Sequence, residues 1–507
     1  MGLPGDPTAP PPPYPAENGL NLNQPQMSAP GAGGLVSVDF IPNLTKPGGI
    51  FTWAEYEPFP VILQRANEWL SKNPILMLRT CETVEFNTQS SGAVVNSIES
   101  VYQLYGEGAN RYVRGLRLWM QPRTDGSSAI QQIGYYNIMP SVRVGVFSVD
   151  TAERLDTLIA QANTLFATNP IQGSIRTIET VPLRVGANGV DPDCTAWTER
   201  GSTSETFIYM LRIFYETGPP QYESIGIADF VPGVLSEGGL MGRPVLERFP
   251  QVLSKAHQWL LSQTPHLRVA NVQTLYYKQR WTTHMDTLRM TYTENDLHSY
   301  YVRYLRVAYA LTNPNMPPQN TGGPIRLNSK LFTPGMLEPP GCCSVGKFEN
   351  QIQVRERMAG WMRATGAKVI SVETVPMRIF SGAENTEGFD TMHTWNKVVS
   401  HTHQHGGAGH HHHGGHHHHH GGHHHHHVNH HHHNAHHHHH TTGIHHNTGI
   451  HHGPTHTHTT YSKGTENYLI LYRVYLDGVY PEPMGYAETG TNIEMYMQQN
   501  ANACTIL

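Results

Sequence analysis

Residues 150–215 read DTAERLDTLIAQANTLFATNPIQGSIRTIETVPLRVGANGVDPDCTAWTERGSTSETFIYMLRIFY, and this stretch decides the fold. Asp150 stands as an N-cap, with Glu153 three residues on at the spacing of a capping box. Leu155, Leu158, Ile159, Ala162, Leu165 and Phe166 then recur at three- and four-residue intervals, the apolar stripe of an amphipathic helix. Asn169-Pro170 ends it, because proline disfavours a helical residue before it. A strand is predicted over 174–184, carrying Glu179-Thr180-Val181, and a second over 207–215, carrying Leu211-Arg212-Ile213.

The same order of landmarks occurs four times, about 92 to 102 residues apart. Each copy opens on a short strand ending in an apolar residue, a spacer and proline: Phe40-Ile41-Pro42, Ile138-Met139-Pro140, Phe230-Val231-Pro232, Phe332-Thr333-Pro334. The helix then presents a large apolar residue near its end, at Trp69, Leu165, Trp259 and Trp361. The next strand carries Glu82-Thr83-Val84, Glu179-Thr180-Val181, Gln273-Thr274-Leu275 and Glu373-Thr374-Val375. The last strand carries Leu116-Arg117-Leu118, Leu211-Arg212-Ile213, Leu305-Arg306-Val307 and Tyr472-Arg473-Val474. Four strand-helix-strand-strand repeats follow, at 34–122, 129–219, 221–313 and 324–482. A helix covering one face of a small, mainly antiparallel sheet in each repeat gives an α+β class. In repeat two, Phe207, Tyr209, Leu211, Ile213 and Tyr215 line one face of the last strand while Ile208, Met210 and Phe214 line the other. A strand apolar on both faces implies that repeats pack on one another.

A charged residue inside an apolar strand needs a partner. The spacing pairs Glu82 with Arg117, Glu179 with Arg212 and Glu373 with Arg473 as structural ion pairs, with Gln273 opposite Arg306 in repeat three. A carboxylate–guanidinium ligand site is the sharper alternative. A neutral glutamine that can still hydrogen-bond favours the structural role.

Repeat four is longer than the others by an insertion at 400–460 built of His, Gly, Asn and Thr, a composition that cannot form a core. Its clusters include His410, His411, His412 and His413, then His416, His417, His418, His419 and His420, then His423, His424, His425, His426 and His427. Adjacent imidazoles on a pliant chain suit Zn²⁺, Cu²⁺ or Ni²⁺ with redundant ligands. The 37 histidines also let a chain of formal charge -5 become cationic in mild acid. At neutral pH that charge gives no electrostatic reason for nucleic-acid binding.

Residues 1–33 form a Pro-rich arm in which Pro11, Pro12 and Tyr14 match the peptide taken by WW-type domains. No apolar leader is seen in it. Five cysteines fit neither a paired metal spacing nor an even disulfide framework, which points to a reduced intracellular setting. The polar tail, 483–507, closes on Cys504-Thr505-Ile506-Leu507. These four residues resemble the prenylation box of small GTPases and other prenylated proteins. The resemblance implies geranylgeranyl transfer to Cys504, trimming and carboxyl methylation. Thr505 departs from the aliphatic residue usual there, and the tail lacks basic residues. No phosphate loop, zinc-protease helix or nucleophile elbow occurs. The sequence thus points to a non-enzymatic, lipid-anchored repeat scaffold at the cytosolic face of a membrane, with a metal- and pH-responsive loop. An enzyme or small-ligand binder using pockets between repeats, and a metal-cross-linked structural protein, are the alternatives.

Overall fold

The computed structural model describes residues 26–27, 34–48, 54–88, 95, 97–104, 109–144, 149–186, 189–200, 205–237, 244–279, 285–294, 300–312, 323–339, 346–380, 388–395, 398–404, 457–463 and 466–484. After β1 (Gln26–Met27), repeat one comprises β2 (Val36–Phe40), the hairpin β3 (Leu44–Lys46) and β4 (Glu55–Tyr56), α1 (Phe59–Lys72), β5 (Leu76–Thr88), β6 (Val101–Leu104) and β7 (Ala109–Pro122). Repeat two has β8 (Ile133–Ile138), β9 (Val142–Val144), β10 (Val149–Ala152), α2 (Leu155–Thr168), β11 (Gly173–Arg184), β12 (Ala196–Arg200) and β13 (Glu205–Thr217). Repeat three has β14 (Ser224–Phe230), β15 (Val234–Ser236), β16 (Val245–Leu246), α3 (Phe249–Leu261), β17 (Leu267–Gln279), β18 (Thr291–Glu294) and β19 (Tyr300–Leu311). Repeat four has β20 (Leu327–Phe332), β21 (Met336–Glu338), β22 (Lys347–Phe348), α4 (Gln351–Thr365), β23 (Val369–Phe380), β24 (His393–Trp395), β25 (Val398–Gln404), β26 (Thr457–Lys463) and β27 (Glu466–Asp477).

Each repeat builds a small antiparallel sheet on its final strand. In repeat one, β5 runs along one edge of β7, and β2 takes residues 116–120 of the other edge. The rest of that second edge, residues 109–113, pairs with β12, a strand of repeat two. The exchange recurs: β18 of repeat three pairs with β13, and β24 of repeat four with β19. The cycle then closes, because β6 of repeat one pairs with β27 of repeat four. Inside the circle β5, β11, β17 and β23 pack one against the next, again ending where they began. The result is a ring of four repeats, each completing its neighbour's sheet.

The helices are amphipathic for the reason their spacing implies. Phe59, Ile62, Ala66 and Leu70 are buried on α1, and Leu155, Leu158, Ala162 and Phe166 occupy the same places on α2. Their buried faces serve two sheets. The α1 cluster includes Leu78 and Leu118 of its own repeat and Ile133 and Phe214 of the next. The α4 cluster takes in Leu35 and Trp119 of repeat one. Single polar contacts fix each helix to the following sheet: Asn67 exchanges two hydrogen bonds with Ile133, Asn163 two with Ile225, and His257 one with Leu327. In repeat four the equivalent residue is Ala359, which sits so close to Gly34 that a side chain there would collide with its carbonyl. An expected cover over one sheet is therefore a wedge between two.

Two local expectations need correction. Helix α2 begins at Leu155 with Arg154 as N-cap; Asp150 belongs to β10, and Glu153 is used elsewhere. Leu165 is 41% exposed, because Phe166 one position on takes the buried place. α4 does end as its sequence suggests, on Gly366 at φ 63, a left-handed cap that hydrogen-bonds to Met362.

The chain divides into two units, 1–398 with 463–507, and 399–462. Within the described part of the smaller unit β25 pairs with β26. Deleting residues 400–460 and joining the ends by a short turn leaves the ring folded. Calorimetry is expected to show one cooperative transition and a stability within about 2 kcal/mol of the parent, the size of the loop-closure entropy involved. A broadened or lost transition would place the segment in the core.

Candidate functional site

The repeated glutamates and arginines meet at the boundaries between repeats. Glu179 and Arg212 stand opposite one another in register, as do Glu82 and Arg117, Gln273 and Arg306, and Glu373 and Arg473. Yet their hydrogen bonds go to the threonine of the preceding repeat. Glu179 accepts from the Thr83 backbone N–H (2.8 Å) and hydroxyl (2.7 Å), and Arg212 Nη1 donates to the same hydroxyl at 3.4 Å. Glu82 and Arg117 share Thr374 in this way, and Glu373 and Arg473 share Thr274. In repeat three the Gln273 carbonyl accepts from the Thr180 N–H at 2.8 Å, and Arg306 donates to the Thr180 hydroxyl at 3.0 Å. The direct pairs expected from spacing are thus joined through a neighbour's threonine. The closest direct approach among them is Arg473 to Glu373, at 4.0 Å.

Each arginine has a second anchor that differs between repeats. Arg117 binds Asp39 with both prongs, at 2.6 and 2.8 Å, and Arg306 binds Asp229 at 2.7 and 2.7 Å. Arg212 finds Asn137 and the Pro192 carbonyl instead, and Arg473 the Phe389 carbonyl. The preceding helix adds a face: Arg212 lies 3.8 Å from the Phe59 ring centroid and Arg473 3.7 Å from that of Phe249. These first-strand partners were readable in the sequence. Asp39, Asn137 and Asp229 immediately precede the apolar-x-Pro landmark, and Leu331 takes their place in repeat four.

Burial sets the electrostatics. It raises the Glu179 carboxyl to about 7 despite the two Thr83 bonds, and it raises Glu82 and Glu373 as well. Burial works on Asp39 in the same direction, but the Arg117 and Arg355 guanidinium groups together outweigh it and bring that carboxyl down to about 2. Arg212 is lowered by burial, and by Arg114, to about 10, and so stays charged at neutral pH.

A second four-fold set, unrecognised in the sequence, fixes the hairpins. Glu57, Glu153, Glu247 and Glu349 each accept the backbone N–H of the residue opening the hairpin: Asn43, Ser141, Gly233 and Gly335. A helix residue eight places on, Arg65, Gln161, Lys255 or Arg357, holds each glutamate in turn. The signal was a glutamate two residues before each helix.

Grooves lie where one repeat's short strand crosses the next. Between repeats one and two a cavity of about 440 Å³ is lined by Tyr56, Arg111, Tyr112, Arg114, Arg184 and Trp197 among others, with exposed Cys194 at its edge. Arg114 lies over Trp197, 4.4 Å from its centroid, and binds Glu85 at 2.7 Å; Arg184 binds Glu205. The equivalent groove between repeats two and three holds about 210 Å³, with Tyr209 where the first has Arg114.

Among the described residues no cluster of three His, Cys, Asp or Glu could hold a metal, and no helix is long and apolar enough to cross a membrane. The histidine clusters from His410 to His427, Cys504, and Pro11, Pro12 and Tyr14 lie outside the described residues. No family model matches the chain, and neither a curated protein nor a solved structure proves similar to it.

The raised Glu179 carboxyl has a pH signature. In the unfolded chain it loses its proton near 4.5, and in the ring near 7, so stability falls as pH rises between those values and then levels off. Glu179→Gln, which copies Gln273, removes that slope; its stability should match the parent's near pH 4.5 and exceed it by about 3 kcal/mol above pH 7. Glu179→Ala, which strands two Thr83 donors, costs about 1–3 kcal/mol. Denaturant unfolding from pH 4.5 to 8 tests both, and an unchanged slope in Glu179→Gln would refute the assignment.

Proposed function

We propose that the chain is a closed four-repeat scaffold that holds a His-rich, metal- and proton-responsive loop, with a geranylgeranyl group on Cys504 attaching it to the cytosolic face of a membrane. One observation carries the scaffold reading. The connection from short strand to final strand is brief in three repeats, spanning 105–108, 201–204 and 295–299, while in repeat four it contains the whole tract. The whole tract thus lies within one connection, and the strand pairings that close the ring are made without it. The buried carboxylates and guanidinium groups are taken up by contacts within and between repeats, which favours a holder over a catalyst.

Imidazole, with an unperturbed pKa near 6.5, gives such a loop its response to protons and its affinity for Zn²⁺, Cu²⁺ or Ni²⁺. Each cation added near an anionic leaflet contributes about 1 kcal/mol, enough in small numbers to secure a single lipid chain. The Pro11-Pro12-x-Tyr14 peptide offers a WW-type partner a second attachment. A different reading, a small-ligand binder, is favoured by the groove beside Trp197, whose volume falls in the range of ligand sites.

Titration calorimetry with Zn²⁺ is expected to show several ions bound per chain, and none beyond background once residues 400–460 are removed, with the ring's melting unchanged. Equal binding by parent and deletion variants would end the metal reading.

A further inference from the structure

The groove between repeats one and two is built by both. One wall is the ladder in which β12 joins the sheet of repeat one, with Arg111 opposite Thr198, Tyr112 opposite Trp197 and Val113 opposite Ala196. The other includes Tyr56 of the first hairpin and Leu183 and Arg184 near the end of β11. Val113 and Leu183 supply apolar surface, and the Trp197 ring is stacked on Tyr112 with centroids 5.3 Å apart.

Three guanidinium groups line the same space, those of Arg111, Arg114 and Arg184. Arg114 is 3% exposed and firmly placed: its Nη2 donates to Glu85 and to the Pro182 carbonyl, both at 2.7 Å, and its guanidinium lies against Trp197. Arg184 is held by Glu205 at 2.9 Å. In both arginines the buried Nε has no hydrogen-bond partner. Neither Glu85 nor Glu205 is among the residues lining the cavity. Asp191, a carboxylate that does line it, is exposed and turns one oxygen to the Asp193 N–H at 2.9 Å. Glu199 is engaged by Trp197 Nε1 at 3.1 Å. An apolar space whose fixed polar groups are arginine donors is therefore short of acceptors.

We infer that this groove takes a small organic anion, an apolar or aromatic body ending in a carboxylate. The inference rests on the small-ligand reading given above. A cation would meet three guanidinium groups. A wholly apolar guest would strip water from their donors and return no acceptor, which is costly. A carboxylate answers with the forked geometry that matches arginine. Glu85 and Glu205 already offset two of the positive charges, so a singly charged group suits the site better than a dianion. The other boundaries carry only part of this set. Between repeats two and three, Tyr209 and Lys278 stand where Arg114 and Arg184 do. Between repeats three and four, Arg303 and Arg378 hold those places, but Thr394 replaces Trp197 and Tyr300 replaces Arg111.

The test uses the full-length protein at pH 7.4 and two probes of one shape, 2-naphthoate and the neutral 2-naphthamide. Calorimetric titration is expected to give naphthoate an affinity about tenfold or more above that of the amide, the discrimination a charge-assisted hydrogen bond supplies. Bound naphthoate also slows alkylation of Cys194 by iodoacetamide, followed by peptide mass, because that exposed thiol lies at the cavity's edge. Arg111→Thr and Arg114→Tyr, each copying the residue at that place in repeat two, lower the naphthoate affinity about tenfold. Melting temperature reports that the ring is intact, and if Arg114→Tyr does not fold, the half-buried Arg111 decides alone. Equal affinities with Cys194 protected by both probes overturn the anion inference and leave the small-ligand reading standing. No protection by either probe overturns both. Naphthoate binding that leaves Cys194 unprotected, or that ignores the arginine changes, places the anion elsewhere on the chain and overturns the inference as well.

Discussion

A threonine hydroxyl that serves two masters holds this protein together. Thr83, Thr374 and Thr274 each donate to a glutamate and accept from an arginine, both belonging to the following repeat. A buried carboxylate or guanidinium without a partner is costly, so no repeat can satisfy its own core alone. The neighbour is a structural necessity. Thr180 shows how much variation this tolerates: its partner Gln273 is neutral and still accepts the backbone bond, while Arg306 donates to the Thr180 hydroxyl and to Asp229.

Once each boundary is obligatory, the remaining features follow from geometry. Short strands β6, β12, β18 and β24 can complete a neighbouring sheet only because the final strands outrun their own first strands. Helices lie in the angle between adjacent sheets, and their first residues dock on the next repeat. Phe59 N–H donates to Asp193, Leu155 to Leu288, Phe249 to Asp390 and Gln351 to Ile98. The grooves are the space left over at these crossings. In the final strand Tyr209 lines the smaller cavity at the position that Arg114, bound to Glu85, takes in the larger.

Much of this was legible in the chain. Apolar periodicity located the helices and long strands, and the repeated Glu-Thr-Val and Leu-Arg pairs located the network. Legibility stopped at relations between repeats. Register within a sheet follows from a local pattern, but nothing local says that Glu179 will reach Thr83, 96 residues earlier, instead of Arg212 across the ladder. The capping-box spacing at Asp150 misled for a related reason: Glu153 had a use outside its helix, at Ser141. Asp39 and Asp229 were missed although they stand beside a landmark, since a copy with leucine at that place masked the pattern.

Ring closure also bears on how the chain folds. Three boundaries join repeats that are consecutive in sequence. The fourth joins Thr374 to Glu82, 292 residues apart, and β27 to β6. Contacts of such separation form slowly, so this seam closes last. Until it does, repeat four presents the edge of β27 and repeat one an unpaired β6, each complementary to the other and to the same segment in any second chain. In a crowded refolding mixture the seam can close between molecules, giving exchanged rings of eight repeats or open strings. The contact that makes the monomer a circle is the one through which it can polymerise.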